Sequence, residues 1–160
     1  MLAGASLFFD EVAGPCRLDY VVRLDASWNT LGAIVSGLIG DRIERVVLAV
    51  QPGGRWRMNG IEVSAVAGAL DVDLEWTPAT NLLPIRRLAL PVGGEAPVRA
   101  AWLRFPSLEL EPLEQVYRHV TEWTYRYESH GGSFTADLEV DDAGFVNRYP
   151  GLCERVDAAR

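Results

Sequence analysis

Trp56-Arg57-Met58-Asn59-Gly60-Ile61-Glu62-Val63 is the stretch whose reading decides the fold. Asn-Gly is the dipeptide best suited to a two-residue turn with positive φ at both central positions, and short strand-forming runs flank it on each side. The segment therefore reads as a hairpin, which makes its strands antiparallel. The same logic extends outward. Upstream, Val46, Leu48 and Val50 alternate with Arg45 and the small Ala49, and Leu18, Tyr20, Val22 and Leu24 share a face opposite Arg17, Asp19 and Arg23. Downstream, Val98, Ala100 and Trp102 alternate with Arg99, Ala101 and Leu103, and Phe134, Ala136, Leu138 and Val140 face away from Thr135, Asp137 and Glu139. A period of two with one polar face describes strands with one side on a core and the other in water. Pro52-Gly53-Gly54, Gly93-Gly94, His130-Gly131-Gly132 and Asp142-Ala143-Gly144 mark further turns. Breaks this short imply meanders, not βαβ crossovers.

Two segments carry helical signals. Asp25 to Ile39 has Ser27 as a candidate cap, but its glycines and β-branched residues favour a long bent strand. In Glu111 to Ser129, Thr121 to Tyr127 is rich in aromatic and β-branched residues and reads as strand, while residues 111–120 stay open between helix and strand. About ten or more strands on one chain would curl into a barrel or a bent sheet, since open sheets that wide seldom stay flat. With 160 residues, no repeat and no linker, the chain reads as a single β domain over 1–160.

Composition bounds the function. Nearly half of the residues are apolar, which suits a packed core. All 15 basic residues are arginine, and the net charge of −7 opposes the cationic phosphate contacts that drive nucleic-acid binding and equally disfavours anionic membrane surfaces. The apolar N-terminal run lacks a basic n-region and stops at Asp10, making it a poor signal peptide, and no stretch approaches the ~20 apolar residues of a membrane span. Cys16 and Cys153 lack CxxC spacing and read as idle thiols of a cytoplasmic protein.

Candidate chemistry concentrates in Asp71-Val72-Asp73-Leu74-Glu75-Trp76, Thr77-Pro78-Ala79-Thr80-Asn81 and Leu82-Leu83-Pro84-Ile85-Arg86-Arg87-Leu88. Periodicity alone reads these as strand, turn, strand. On an extended strand Asp71, Asp73 and Glu75 share one face, which suits a hard cation, an acid/base pair or neutralisation by arginine. A linear strand supplies too few oxygens for Ca²⁺, so pairing of Asp71 or Asp73 with Arg86 or Arg87 is the simplest account. The turn reads either as an ordinary capped turn or as a polar rim in which Thr80 and Asn81 present hydrogen-bonding groups. Trp28, Trp56, Trp76, Trp102 and Trp123, with Tyr20, Tyr117, Tyr125 and Tyr127, are numerous enough both to fill a core and to line a concavity. The only histidines, His119 and His130, sit in neither a metal-ligand spacing nor a nucleophile motif, and the glycine pairs lack the strand-to-helix context of a phosphate loop. No metal or cofactor is implied.

The order of these pieces adds a family resemblance. The stretch Asp71 to Leu88 resembles the central signature of a family of bacterial proteins named for proposed glycolipid binding. Gly54-Arg55-Trp56-Arg57-Met58-Asn59-Gly60, Ala101-Trp102-Leu103-Arg104-Phe105-Pro106 and Gly144-Phe145-Val146-Asn147-Arg148-Tyr149-Pro150-Gly151-Leu152 agree with it in order and spacing, so the likeness covers the chain from about Tyr20 onward. It implies one large antiparallel sheet curled into an incomplete barrel, similar to bacterial lipoprotein carriers, with little helix. It also implies an amphipathic lipid or glycolipid as ligand. The expected protein is a cytoplasmic, non-enzymatic binder whose candidate ligand residues are Trp28, Trp56, Asp71, Asp73, Thr80, Asn81, Arg86, Arg87, Trp102, Trp123, Tyr125 and Tyr127. Two rivals stand beside it. One is an enzyme on the same scaffold using Asp71 or Asp73 with Arg86 or Arg87. The other is a module whose sheet edges pair with a partner or with a second copy.

Overall fold

The computed structural model describes residues 1–156. The hairpin forms where expected: β5 (Arg55–Met58) pairs with β6 (Ile61–Glu62), with Met58 opposite Ile61. Asn59 and Gly60 both take positive φ, at 50° and 85°. Outward from it runs a meander of β1 (Leu2–Asp10), β2 (Gly14–Leu24), β3 (Thr30–Ile39) and β4 (Arg42–Gln51), each antiparallel to the next. The bent strand expected over Asp25 to Ile39 is thus a turn followed by β3. At Gly37 β3 lies so close to β2 that a Cβ would stand 1.9 Å from the Arg17 carbonyl oxygen, so glycine is required there.

The second half builds a seven-stranded sheet from β7 (Asp71–Leu74), β8 (Glu95–Leu103), β9 (Leu110–Thr121), β10 (Thr124–Ser129), β11 (Phe134–Val140), β12 (Val146–Tyr149) and β13 (Cys153–Glu154). The architecture is all-β, largely antiparallel and curled into a half-barrel, with little helix. The expected single sheet is instead two, of six and seven strands. A 3₁₀ turn at Ser64–Val66 and Gly68 at φ 80° take the chain out of extended geometry between β6 and β7, so no ladder crosses that point.

Three local expectations are corrected. The doubly basic segment is not a strand but the helix α1 (Leu82–Leu88), preceded by a 3₁₀ turn at Pro78–Asn81. Pro84 sits in the first helical turn, where its missing N–H costs nothing, and leucine and arginine are good helix formers. Thr77 caps the entry by accepting a hydrogen bond from the Ala79 N–H at 3.3 Å. Consequently β7 and β8 are joined by a helical crossover and pair in parallel, against the expectation of meanders alone. Thr121 to Tyr127 is interrupted as well: residues 111–120 are strand, and Glu122-Trp123 forms the tip of the β9–β10 hairpin.

The core has two compartments. Leu18, Tyr20, Val22, Val35, Leu48 and Trp56 from the first sheet pack on Val72, Leu74, Leu82, Leu83, Ala101 and Leu103. On the other side of β7 and β8, Ile85 of α1 packs with Val98, Tyr117, Tyr125, Tyr127, Leu138 and Tyr149. Strand β8 is therefore buried on both faces at Ala100, Ala101 and Leu103, which is why its alternation of apolar with small residues resembled a half-solvated strand. Helix α1 belongs to both compartments, with Leu82 and Leu83 in one and Ile85 in the other.

Candidate functional site

Strand β7 divides its side chains between the two compartments. Val72 and Leu74 enter the first core, so Asp71 and Asp73 must face the second sheet's inner side. That orientation places carboxylates where the solvent is largely excluded, and each is met differently. Arg87 donates from Nε to Asp71 Oδ1 at 3.1 Å and from Nη2 to Asp71 Oδ2 at 2.5 Å, a bidentate pair with both side chains largely buried. Burial raises the Asp71 carboxyl above its ordinary range, and Arg87 opposes that rise. Asp73 has no arginine. Gln115 donates from Nε2 to its Oδ2 at 2.6 Å and to the Tyr127 hydroxyl at 3.1 Å. Burial, seconded by Glu75 and Asp71, pushes Asp73 up to about 6 despite the Gln115 bond.

Asp73 lies at the floor of a cavity of about 400 Å³. Trp102 stands beside it because the two residues are register partners across β7 and β8. Tyr127, Phe134 and Tyr149 form an aromatic wall with ring centroids 6.0 to 6.4 Å apart. Leu113 and Leu152 add apolar surface, and Glu75, Thr77, Asn81, Ser129 and His130 supply polar groups. Asn81 is fixed in place: its Oδ1 accepts from the Tyr117 hydroxyl at 2.6 Å and its Nδ2 donates to the Pro78 carbonyl at 3.0 Å. The lining carries carboxylates, amide and hydroxyl groups and aromatic faces, which is the makeup of a pocket that holds an organic ligand by its shape and orients it by a few polar contacts.

The residues singled out from sequence go to three places. Asp73, Asn81, Trp102 and Tyr127 line this cavity. Trp28, Arg86, Trp123 and Tyr125 line a separate groove of about 570 Å³, where the Arg86 guanidinium lies 5.2 Å from the Trp28 ring centroid. Trp56, Thr80, Asp71 and Arg87 line neither of these and bond within the protein. Trp56 is fully buried and donates from Nε1 to the Ala69 carbonyl at 3.0 Å. The Thr80 hydroxyl accepts from the Leu74 N–H at 3.2 Å, and Asp71 with Arg87 closes on itself. Sequence reasoning missed Gln115, Phe134 and Tyr149 as site residues. Gln115 had a usable signal: it interrupts the apolar face that Leu113 and Tyr117 share, and a polar group on such a face needs a partner.

Residues 2–155 match the pattern of a family described as "Putative glycolipid-binding". The chain belongs to that family. This member is also similar to a solved structure, a DUF1089 family protein from Pseudomonas aeruginosa, at 34% identity and a TM-score of 0.85, covering 96% of this chain and 92% of that one. Among curated proteins none is significantly similar to it. Tyr149, Pro150, Gly151 and Leu152, which end the last motif of the family resemblance, all line the cavity. No helix among the described residues is long and apolar enough to cross a membrane, and no cluster of histidine, cysteine, aspartate or glutamate there could hold a metal ion.

The two carboxylates should respond differently to substitution. Arg87→Ala leaves Asp71 buried and unpaired and should cost about 3–5 kcal/mol in urea denaturation, whereas Arg86→Ala should cost no more than about 1 kcal/mol; equal, small effects would show that the Asp71 pair is merely solvated. Asp73 also sets a pH dependence. Its folded pKa lies above the unfolded value, so its contribution is fully present below about pH 4 and is lost as the pH rises through about 6. Wild type should therefore lose roughly 2–3 kcal/mol relative to Asp73→Asn between pH 4 and pH 7.5. Parallel stability profiles for the two proteins would rule this out.

Proposed function

We propose that this protein binds an amphipathic lipid or glycolipid without transforming it, the polar head resting in the Asp73 cavity. One observation carries the reading. A partly buried carboxylate and its Gln115–Tyr127 hydrogen bonds converge on a cavity otherwise walled by Trp102, Phe134, Tyr149 and leucine side chains. Such a surface gives apolar burial to methylenes and ring faces and directed contacts to a head group. Family membership supports the ligand class, and the curled sheet supports the mode of binding. The volume suits a head group and the first part of a chain, so the rest of a long chain would run out along the apolar rim near Leu152. Cys16 and Cys153 are both free thiols, which supports a reducing, cytoplasmic setting.

A carboxylate poised near 6 is also what a general base would need. Binding and turnover separate in one experiment. Titrating the protein with alkyl glycosides of increasing chain length should change tryptophan fluorescence, and Trp102→Phe should remove most of the change. Affinity should rise by up to about 0.8 kcal/mol, or about four-fold, per methylene buried. The free sugar should give no response, and the recovered ligand should be intact. An equal response to the free sugar would point to a carbohydrate site, hydrolysed ligand would point to an enzyme, and no response to either would leave a partner-binding module as the better account.

A further inference from the structure

We propose that the head group selected by the Asp73 cavity carries a positively charged nitrogen, as a protonated amine or a quaternary ammonium. The inference rests on the ligand-binding reading of this cavity and names the chemistry it would select.

The charge distribution points there first. Asp73 and Glu75 are the carboxylates of the lining, and no arginine lines it, in a chain that has 15. Two arginines lie nearby, each with a carboxylate partner of its own. Arg87 is held by Asp71, and Arg104 pairs with Glu111 at 3.4 Å. An anionic head would meet carboxylates with nothing to neutralise it. The aromatic wall agrees. Trp102, Tyr127, Phe134 and Tyr149 offer ring faces with negative quadrupoles, which attract cations within about 6 Å. One face of the Trp102 ring is already covered by the Arg104 guanidinium, 5.1 Å from its centroid, which leaves the other face and the rings of Tyr127, Phe134 and Tyr149 for a ligand cation.

The hydrogen bonding of Asp73 supplies a third, independent argument. Gln115 occupies Oδ2, no hydrogen bond from the described residues reaches Oδ1, and the partly exposed Asp73 side chain lines the cavity. A carboxylate oxygen beside largely apolar walls is a strong acceptor, and a charge-assisted bond to it is worth roughly twice a neutral one, so a cationic head gains more there than a hydroxyl head. A cation seated between Oδ1 and the rings would complete both the charge and the hydrogen bonding. The net charge of −7 adds attraction over longer range.

The test compares amphiphiles of equal chain length, each below its micellar concentration, by calorimetry on the intact protein. The panel is dodecyltrimethylammonium, dodecyl glucosaminide, dodecylphosphocholine, dodecyl maltoside and laurate. At pH 7, where Asp73 is mostly ionised and the amino sugar mostly protonated, the trimethylammonium and glucosaminide heads should bind about ten-fold or more tightly than maltoside, with laurate weakest. Comparison of the glucosaminide with the phosphocholine distinguishes an amino-sugar source from a choline-type one. The advantage should shrink as the pH falls through 6 toward 4.5 and Asp73 gains a proton. Asp73 is faced by Asp71 from its own strand, by Glu75 from the turn after it, by Gln115 and Tyr117 from β9, by Tyr127 from β10 and by Tyr149 from β12, while Arg87 of α1 faces Asp71. Burial keeps the three tyrosines neutral throughout this range, and His130→Gln removes the imidazole of the rim as a source of the effect. In Asp73→Asn the cationic and neutral amphiphiles should bind within about two-fold of each other. Should that variant misfold by circular dichroism, Glu75→Gln and the wild-type pH series carry the test. Maltoside binding as tightly as the cationic heads, or a cation advantage that survives both Asp73→Asn and low pH, would overturn this inference while leaving ligand binding intact. Binding of none of the panel would overturn the ligand-binding reading itself.

Discussion

The bidentate pair between Arg87 and Asp71 is the constraint on which the site depends. It joins the end of α1 to the start of β7, with the Asp71 side chain only 2% exposed. Removing either partner would strand a charge away from water, so helix and strand are locked in one arrangement. With α1 held there, Leu82 and Leu83 close the first core compartment and Ile85 seals the second. The same anchoring keeps the 3₁₀ turn against Tyr117, whose hydroxyl fixes Asn81 at the cavity wall. A structural ion pair thus positions its neighbour, Asp73, as the carboxylate of the same strand that has no arginine partner.

That division of labour explains how three similar acids, two on β7 and Glu75 in the turn after it, come to differ. Asp71 is neutralised by an arginine, Glu75 is exposed and accepts the Phe105 N–H at 2.7 Å, and Asp73 is partly buried with only an amide for company. Identical chemistry acquires different roles from burial and partners alone. The second groove, at Trp28 and Trp123, shows the contrasting case. There Arg86 covers the Trp28 ring, and Trp123 stands 48% exposed at a hairpin tip. Aromatic residues that one cavity was expected to gather are shared between two because the Glu122-Trp123 turn carries Trp123 to the end of the sheet, away from Trp102.

Much of the fold is legible in the sequence because its signals are local. The Asn59-Gly60 turn fixes a hairpin, and the alternation at Leu18 to Val22 and Ala136 to Val140 gives the buried faces directly. The Arg87 contact with Asp71 was also foreseeable, since a buried acid needs a base and the next basic residues are close in the chain. What escaped is set by tertiary packing. The segment around Arg86 and Arg87 is too short for helical periodicity to declare itself, and Pro84 can open either a strand or a helix. Gln115 became a site residue only when β9 lay across from Asp73, a pairing no local pattern encodes. The break between the sheets depends on a 3₁₀ turn of three residues.

The most direct measurement is photo-crosslinking with a dodecyl amphiphile that carries a diazirine next to its head group, followed by peptide mapping. If the Asp73 cavity is the binding site, label should fall on Trp102, Leu113, Tyr127, Phe134 and residues 149–152, and an excess of unlabelled amphiphile should displace it. Label concentrated on Trp28, Trp123 and Tyr125, or spread without competition over the exposed outer side chains of the first sheet such as Leu7, Phe9 and Ile43, would contradict the account.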